Sequence, residues 1–492
     1  MQTIVVVTRA SDWPDSMPDV RVITARAYLS DPEWTGTRRV KVFNLCRSYK
    51  YQSYGYYVSL LAEARGHKVL PRVMTLRDLR TPAIVRSAGD ELASQIHSSL
   101  KTITSDKFEL SIYFGKNLAK RHDRLASALF RLFPAPLLRA SFVTTKAGEW
   151  ILRDVNAIPT SAIPDHHRDF AVGAARDYFT KRQRSERKAV PSRFDLAILY
   201  NPDDPTSPST DRAIRRFEKA AESVGIACER IGRGDYGRLA EFDALFIRET
   251  TAVNHHTYRF SRRAAAEGLI VIDDPQSILR CTNKVYLAEL LTRHNIPTPR
   301  TGILHKDNLQ QVLADIGLPI ILKQPDSSSS QGVHKADTVD EAQSLSKLLF
   351  ETSDLLIAQE FMPTDYDWRI GILDGLPLYA SRYFMAKKHW QIVKWGTGAK
   401  PQRFGAWETI AIEDAPKKCV SLALKAAAPI GNGFYGVDLK QVKGKWYVIE
   451  VNDNPSVEDG VEDLILDDEL YQRVMDVFLK RIEARKDGKA AK

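Results

Sequence analysis

The stretch YVIEVNDNPS, residues 447–456, carries polar side chains where a buried strand should still carry apolar ones. Glu450 and Asn452 are two positions apart, so on a strand their side chains leave the same face. Asp438 lies upstream in FYGVDLKQV, and the tight turn KGK between the two segments predicts a hairpin that brings all three level. Two carboxylates and an amide oxygen suit Mg²⁺ that bridges nucleotide phosphates. A strand end whose polar residues cap a turn is the alternative.

Two lysines have positions that suit phosphate binding. Lys323 ends the apolar run PIILK and directly precedes PDSSSSQG, in which Ser328, Ser329 and Gly332 form a candidate phosphate loop. Small hydroxylated residues and glycine can fold backbone N–H groups around phosphate oxygens. A lysine that extends to solvent and a serine-rich linker are the plainer interpretations. Lys284 follows Asn283, the expected cap of a helix, where a lysine is unfavourable unless an anion compensates it.

The segment LIAQEFMPTDYDWRIGIL, residues 356–373, can hold the rest of a nucleotide. Gln359, Glu360 and Phe361 end a strand, and the backbone and apolar side chains of such a connection can hold the edge and face of an adenine. Glu360 or Asp367 can accept hydrogen bonds from ribose hydroxyls. Asp367 and Arg369 share one strand face, so a structural ion pair between them competes with that role.

Positive charges follow in the neighbouring strands, at Arg382, Lys387, Lys388 and Lys394. Any of these side chains could stabilise a migrating phosphoryl group.

Alternating strands and helices must position these residues. Between 194 and about 280, apolar strands alternate with helical patterns, which predicts a parallel α/β sheet. After Asn283 the strand candidates LIAQEFM, WRIGILDG, LPLYASRYF, WQIVKW and KWYVIEVN suggest an antiparallel sheet. The charge-rich stretch 181–193 predicts a boundary. We therefore expect an α/β domain over 1–190, a second over 194–282, a third domain over 283–480 and a tail over 481–492.

Composition narrows the classes of protein. The chain has 492 residues, 43% of them hydrophobic, which is typical of a globular protein with several domains. No run of about 18 apolar residues is present, so no membrane association is expected. The first residues read as a strand and not as a signal peptide. Four cysteines without CxxC spacing predict neither disulfides nor a zinc site, which favours a cytoplasmic location.

The net charge of +10 is unevenly distributed. Residues 1–190 contain 31 Lys and Arg against 18 Asp and Glu, whereas the remainder contains 40 against 43. An ordinary solvated basic surface is the favoured explanation, and an acidic ligand or nucleic acid is the alternative. Five tyrosines at 49, 51, 54, 56 and 57 cluster among these basic residues. Such aromatics can stack on bases, but a half-buried tyrosine-rich helix start is favoured.

The order of these features resembles the ATP-grasp superfamily. Lys284, Lys323 with SSSSQG, QEFM, Asp-Trp-Arg, GVD and EVNDNPS are similar to its RimK and glutathione synthetase branch, whose sheet ends in GVD and EVN-x-x-P. The similarity spans about 194–480, and residues 1–190 resemble the extra N-terminal domain of RimK-like proteins. The implied fold class is α/β, with an α+β ATP-grasp region: a parallel α/β domain precedes two α+β subdomains that clamp ATP.

The resemblance implies a role for each matching residue. Lys284 and Lys323 would contact ATP phosphates. The adenine hinge would be Gln359, Glu360 and Phe361, with Asp367 near the ribose. Two magnesium ions, or manganese in their place, would be bound by Asp438, Glu450 and Asn452. Arg382 would face the transferred phosphate, and the candidates for substrate binding are Arg248, Arg369 and Lys394.

The implied activity is ATP-dependent carboxylate–amine ligation through an acylphosphate, which forms an amide or peptide bond and releases ADP. Glutamate or another amino acid is the candidate substrate, and the acceptor is a small molecule, a peptide or a protein. The alternatives are an ATP-grasp phosphotransferase and an ATP-binding regulator whose N-terminal segment binds nucleic acid or the ribosome. Nucleic-acid binding is possible without being favoured, and the sequence leaves the oligomeric state open.

Overall fold

Two units make up the chain: Met1–Ala189 with Gly234–Phe242 form unit 1, and Val190–Arg233 with Asp243–Lys492 form unit 2. The computed structural model describes residues 2–14, 17, 20–37, 40–145, 148–186, 192–204, 206–326, 332–387, 389–395 and 401–487, without the side chains of 180–186, 393–395 and 401–404. Apart from residues 234–242, the two predicted domains 194–282 and 283–480 both lie in unit 2, and the boundary between them stays a prediction.

Unit 1 contains a parallel and an antiparallel sheet. Its strands are β1 (Gln2–Val7), β2 (Val20–Thr24), β3 (Val40–Asn44), β4 (Lys68–Leu70), β5 (Lys107–Tyr113), β6 (Leu137–Thr144) and β7 (Trp150–Ala157). Its helices are α1 (Ala25–Ser30), α2 (Glu33–Gly36), α3 (Tyr54–Ala64), α4 (Val73–Asp78), α5 (Pro82–Glu91), α6 (Ala93–Leu100), α7 (Asp123–Leu132) and α8 (Arg168–Glu186). The strand orders are β2-β1-β3-β4, all parallel, and β5-β6-β7, antiparallel.

The sequence of β1 explains its central place in the parallel sheet. Its run Ile4–Val7 is fully buried, and alternate residues belong to two different hydrophobic clusters, one on each side of the sheet. β-branched residues suit a strand that is covered on both faces. The antiparallel sheet instead packs one face against α5, α6 and α7.

Unit 2 contains four sheets. Its strands are β8 (Phe194–Leu199), β9 (Ile226–Ile231), β10 (Ala244–Ile247), β11 (Ile270–Ile272), β12 (Thr301–Leu304), β13 (Ile320–Lys323), β14 (Val333–Ala336), β15 (Leu356–Glu360), β16 (Tyr366–Leu373), β17 (Leu376–Phe384), β18 (Val393–Trp395), β19 (Pro401–Phe404), β20 (Trp407–Ile410), β21 (Phe434–Val442) and β22 (Lys445–Asp453). Its helices are α9 (Asp211–Ser223), α10 (His256–Ala266), α11 (Pro275–Thr282), α12 (Lys284–Arg293), α13 (Leu309–Ile316), α14 (Val339–Leu349), α15 (Lys417–Ala427) and α16 (Asp468–Lys486).

The first sheet of unit 2 is parallel, in the order β11-β10-β8-β9, as its alternating pattern predicted. Helix α16 returns from the end of the chain and packs against α9, so residues far apart in sequence share one core around Phe217, Tyr471 and Phe478. The last helix reaches Lys486, which corrects the predicted start of the tail at 481.

Two antiparallel sheets follow, in the orders β12-β15-β13-β14 and β20-β17-β16-β21-β22. The segment LIAQE was expected in the second sheet, but β15 lies between β12 and β13, because its apolar residues pack into the core formed with α13 and α14. WQIVKW contributes only β18, which pairs with β19 outside both sheets.

The predicted fold class is confirmed: the described residues form parallel α/β sheets and an α+β region with two larger antiparallel sheets and the two-stranded sheet of β18 and β19. Among those residues, no helix combines the length and the apolar character needed to cross a membrane.

Candidate nucleotide and metal site

Two lysines of unit 2 point into one cleft. Lys284 is the first residue of α12, whose N-terminus is capped by the Asn283 side chain through the backbone N–H of Tyr286. Lys323 is the last residue of β13, and its Nζ donates to Gln359 Oε1 at 2.7 Å. Lys284 Nζ lies 2.9 Å from Glu450 Oε1. Both lysines are buried, so their charges are held by the protein and not by bulk water.

Burial and charge oppose each other in this cluster. Burial lowers the pKa of the Lys323 ammonium to about 8, because the charge loses its hydration; nearby Glu450 acts against this change and Lys284 adds to it. Burial alone would raise the pKa of the Glu450 carboxyl. The attraction of Lys284 and Lys323 outweighs burial, so the pKa of Glu450 lies below its ordinary value. Glu450 is therefore an ionised carboxylate between two cations.

The hairpin of β21 and β22 brings the predicted metal ligands together. Asp438 pairs with Glu450 across the hairpin, and Gly436 pairs with Asn452. Asn452 Nδ2 donates to Asp438 Oδ2 at 3.1 Å. All three side chains line the same cleft as the two lysines. The arrangement gathers two carboxylates and one amide on one face of the sheet.

Arg369 enters this group from the adjacent strand. In β16 it lies opposite Asp438, with Nε 2.7 Å from Oδ1 and Nη2 2.8 Å from Oδ2. Burial acts to lower the pKa of Arg369, but the charge and hydrogen bonds of Asp438 outweigh it, so the pKa lies well above its ordinary value. The expected ion pair between Arg369 and Asp367 is replaced by a bidentate pair with Asp438, which is the stronger geometry.

The opposite end of the cleft is apolar and aromatic. Phe361 and Trp390 meet edge to face, with ring centroids 5.9 Å apart, and Lys335 Nζ lies 4.7 Å from the Phe361 centroid. The backbone N–H groups of Glu360 and Phe361 donate to the carbonyls of Arg300 and Pro319. The expected hinge therefore offers an aromatic wall, while the N–H groups of Glu360 and Phe361 are already hydrogen-bonded within the protein.

Asp367 lies beside Lys440, a residue that the sequence analysis did not select. Lys440 Nζ is 2.6 Å from Asp367 Oδ1 and donates to Thr364 Oγ1 at 2.7 Å. Burial raises the pKa of the Asp367 carboxyl, and Lys440 acts against that change. Lys440 is two positions after Asp438, so the same strand periodicity that grouped the metal ligands would have found it.

The structure places ten of the predicted residues around this single cleft: Lys284, Lys323, Gln359, Glu360, Phe361, Asp367, Arg369, Asp438, Glu450 and Asn452. The lining also includes Lys440, Met385, Trp390 and Gln391. Trp390 and Gln391 were expected in the strand WQIVKW but precede β18, and nothing in the sequence pattern assigned them to the site. Roles for all of these residues stay predictions.

Arg382 does not reach the cleft, which corrects its expected role. It lies opposite Trp368 across β16 and β17, so it shares the Trp368 face, and Trp368 belongs to the core beneath α15. Its guanidinium carbon lies 4.9 Å from the Trp368 ring centroid, and Nη1 is 3.4 Å from Glu408 Oε2. Strand alternation puts Arg369, and not Arg382, on the cleft face.

Arg248 is also corrected, from a substrate contact to a structural anchor. Its side chain is fully buried and donates to Ser209 Oγ, Asn454 Oδ1 and the carbonyls of Pro208 and Pro455. Burial lowers its pKa to about 10. Because the guanidinium already donates to these acceptors, it holds the loop that follows β22.

Four predicted positions are outside the description. Ser328, Ser329 and Lys388 lie among the residues that are not described, as does the side chain of Lys394. Gly332 is described: its φ of 69° is favoured by glycine, and its carbonyl accepts from the Gln324 N–H at 3.0 Å.

Two family descriptions match the chain. Residues 25–174 match the RimK-like ATPgrasp N-terminal domain, and residues 281–456 match an ATP-grasp domain. The second match includes every residue of the cleft named above.

Two relatives are similar to less than half of the chain. The alpha-aminoadipate–LysW ligase LysX of Saccharolobus solfataricus is 32% identical over 202 residues, which is 39% of this chain and 69% of that protein. A probable alpha-L-glutamate ligase of Vibrio vulnificus strain YJ016 is 25% identical over 228 residues, 46% of this chain and 72% of that protein. Among solved structures, the D-alanine–D-alanine ligase of Bacillus anthracis complexed with ATP has a TM-score of 0.48 at 16% identity, covering 59% of this chain and 99% of that one.

Proposed function

Because the chain belongs to the ATP-grasp superfamily of ligases, we propose that it activates a substrate carboxylate with ATP and joins it to an amine. The products are an amide or peptide bond, ADP and phosphate. The observation that carries this proposal is the meeting of Lys284, Lys323 and Glu450 in one cleft, beside Asp438 and an aromatic wall.

The cations of the cleft suit the polyphosphate of ATP. The Lys284 ammonium has Glu450 as an ion-pair partner, and the Lys323 ammonium has the neutral Gln359 amide as a hydrogen-bond partner. An entering phosphate supplies the negative charge that a neutral partner lacks, so the cost of keeping Lys323 charged falls. The edge-to-face pair of Phe361 and Trp390 then offers apolar surface to the base.

The donor set also suits a divalent cation. Asp438 and Glu450 supply carboxylate oxygens and Asn452 an amide oxygen, which are the hard ligands that Mg²⁺ prefers. Each carboxylate already has a cationic partner, Arg369 or Lys284, so a bound cation would share the carboxylates with these side chains, and the negative charge of the ATP phosphates would offset the added positive charge. Bound Mg²⁺ would neutralise phosphate charge during transfer. Mn²⁺ is expected to replace it.

The chemistry has two balanced steps. A substrate carboxylate oxygen bonds to the γ-phosphorus while the bond from that phosphorus to ADP breaks, which gives an acylphosphate. An amine nitrogen then bonds to the acyl carbon, phosphate leaves with the electron pair of the carbon–oxygen bond, and the proton of the amine passes to the solvent. The protein supplies position and charge, with Arg369 and Lys284 facing the developing negative charge.

The relatives suggest the substrate class. One is named for alpha-aminoadipate and LysW, and others for L-glutamate. We therefore propose glutamate, or an acid of similar length, as one substrate, and a peptide or protein as the acceptor class to examine first. Dependence on ATP and cysteines without disulfide spacing support a cytoplasmic location.

ADP release tests the proposal. Purified protein is incubated with ATP, Mg²⁺ and amino acids or peptides, singly and in pairs, beside Glu450→Gln and the matched control Glu408→Gln, which lies outside the cleft lining. The proposal requires ADP release that depends on one acid and one amine, with amide product, and that Glu450→Gln abolishes. A stable phosphorylated substrate would identify a phosphotransferase instead.

A further inference from the structure

Helix α3 of unit 1 is apolar on its outward face as well as on its inward face. Val58 and Ala62 are fully buried in the core beneath the parallel sheet. On the outer side, Tyr54, Tyr57 and Leu60 are 47%, 38% and 37% exposed. A surface helix normally turns polar residues outward, and a helix that is apolar all round is normally covered. The outer face of α3 therefore has the character of a surface that another molecule covers.

The apolar surface extends beyond α3. Tyr51 is 69% exposed, and its ring centroid lies 5.1 Å from that of Tyr56. Met74, 63% exposed, lies in the first turn of the neighbouring helix α4, which is tied to α3 because Glu63 accepts from the Val73 N–H at 2.8 Å. We call the set Tyr51, Tyr54, Tyr57, Leu60 and Met74 the α3 surface. Contiguous exposed apolar residues of this kind mark interaction sites.

Cations without acidic partners border the α3 surface. Lys50 precedes Tyr51 directly, and Arg80 reaches the same loop, where Nη2 donates to the Tyr49 carbonyl at 2.9 Å. Arg77 lies one turn before Arg80. Within the part of the chain that is described, none of these three cations pairs with a carboxylate. Residues 47–80 contain seven Lys and Arg against two Asp and Glu, so this stretch of the chain carries a net positive charge.

We propose that the α3 surface binds an acidic polypeptide segment that also carries apolar side chains. Tyr, Met and Arg are the residue types enriched in protein–protein interfaces, and arginine forks pair well with carboxylates. Nucleic acid would use the tyrosines and the cations, but it offers no aliphatic counterpart for Leu60 and Met74. An acidic polypeptide with apolar side chains can contact the tyrosines, the cations and the aliphatic side chains of Leu60 and Met74 together. This binding is separate from the proposed ligation and needs no ATP.

Fluorescence anisotropy measures the interaction directly. The full-length protein, without ATP, is titrated into a short fluorescein-labelled peptide of Glu, Asp and Leu. The double substitution Tyr54→Ser/Tyr57→Ser and the single substitution Arg77→Glu should each weaken binding by at least about tenfold, as loss of central interface residues does. Rising salt should weaken binding in parallel. These residues are exposed, so the variants should keep the fold, which circular dichroism checks.

Matched controls lie on β7 of the same unit. Ile151→Ser and Arg153→Glu change an exposed apolar and an exposed basic residue away from α3, and they should bind as the unsubstituted protein does. Equal binding by all variants overturns the proposal, as does the absence of binding at low salt. Tighter binding of oligothymidylate or of phosphatidylserine vesicles than of the peptide also overturns it, in favour of nucleic acid or membrane.

Discussion

Arg369 binds both carboxylate oxygens of Asp438 across neighbouring strands, at 2.7 and 2.8 Å. The pair holds a proposed metal ligand in a fixed orientation and gives its charge a partner in advance. Because Asn452 also donates to Asp438, one carboxylate connects three strands of the sheet. The cleft is therefore organised by its own charges.

Arg369→Lys should reduce kcat about 100-fold, since lysine keeps the charge but cannot bind both oxygens of Asp438. The melting temperature should change little. Steady-state ADP release and thermal unfolding measure the two effects. Arg382→Lys is the paired control, because that side chain packs on Trp368 outside the cleft, and it should keep kcat. Equal loss of kcat in both variants would contradict the assignment of faces.

ATP binding should take up a proton near pH 8. Burial lowers the pKa of Lys323 to about 8, so the positive charge is lost as the pH rises through that value, and bound phosphate favours the charged form. The dissociation constant for ATP should therefore increase above pH 8. Calorimetry in buffers of different ionisation enthalpy measures the proton directly. The Lys323→Arg variant keeps its positive charge, so it should show neither effect. Proton uptake by that variant would show that a group other than Lys323 takes up the proton.

Glu462→Gln should change the pH dependence of stability. Burial raises the pKa of the Glu462 carboxyl from 4.5 to about 7, and Tyr383 donates a hydrogen bond to it. Because the folded-state pKa is raised, this group stabilises the fold at low pH, and that contribution is lost as the pH rises towards 7. Urea unfolding should show the variant gaining about 1–3 kcal/mol relative to the unsubstituted protein between pH 4.5 and 8. Parallel pH profiles would exclude this role.

Arg248→Met should destabilise the protein by about 3–5 kcal/mol, because buried acceptors on Ser209, Asn454 and Pro455 lose their donor. Urea unfolding measures the loss. KM values for both substrates should stay unchanged in the folded protein. A variant of normal stability with a raised KM would return Arg248 to substrate binding.

Strand periodicity was enough to group Asp438, Glu450 and Asn452, because side-chain alternation needs only local sequence. Arg382 was assigned from the resemblance, and its face could not be worked out from the sequence, since β16 and β17 change register between Gly371 and Ile372. Arg248 was misassigned for a different reason. Its partner Asn454 is 206 positions away, so local pattern gave no sign that its donors were already used.

The tyrosine cluster shows that local sequence also fails to predict which side chains of a helix are exposed. A half-buried helix start was favoured, and Tyr49 is indeed buried, yet Tyr51, Tyr54 and Tyr57 are exposed. Composition alone does not say which side of a helix faces the core when both sides are apolar.

Asn454 joins the end of β22 to the parallel sheet that precedes it. Its side chain bonds Arg248 and the Glu249 carbonyl, and its N–H donates to Asp273 Oδ2 at 2.5 Å. Anyone who recombines this enzyme with a relative must therefore move two distant segments together. A chimera that exchanges β8–β11 alone would separate Arg248 and Asp273 from residues 452–457, so the crossover points belong on both sides of this network.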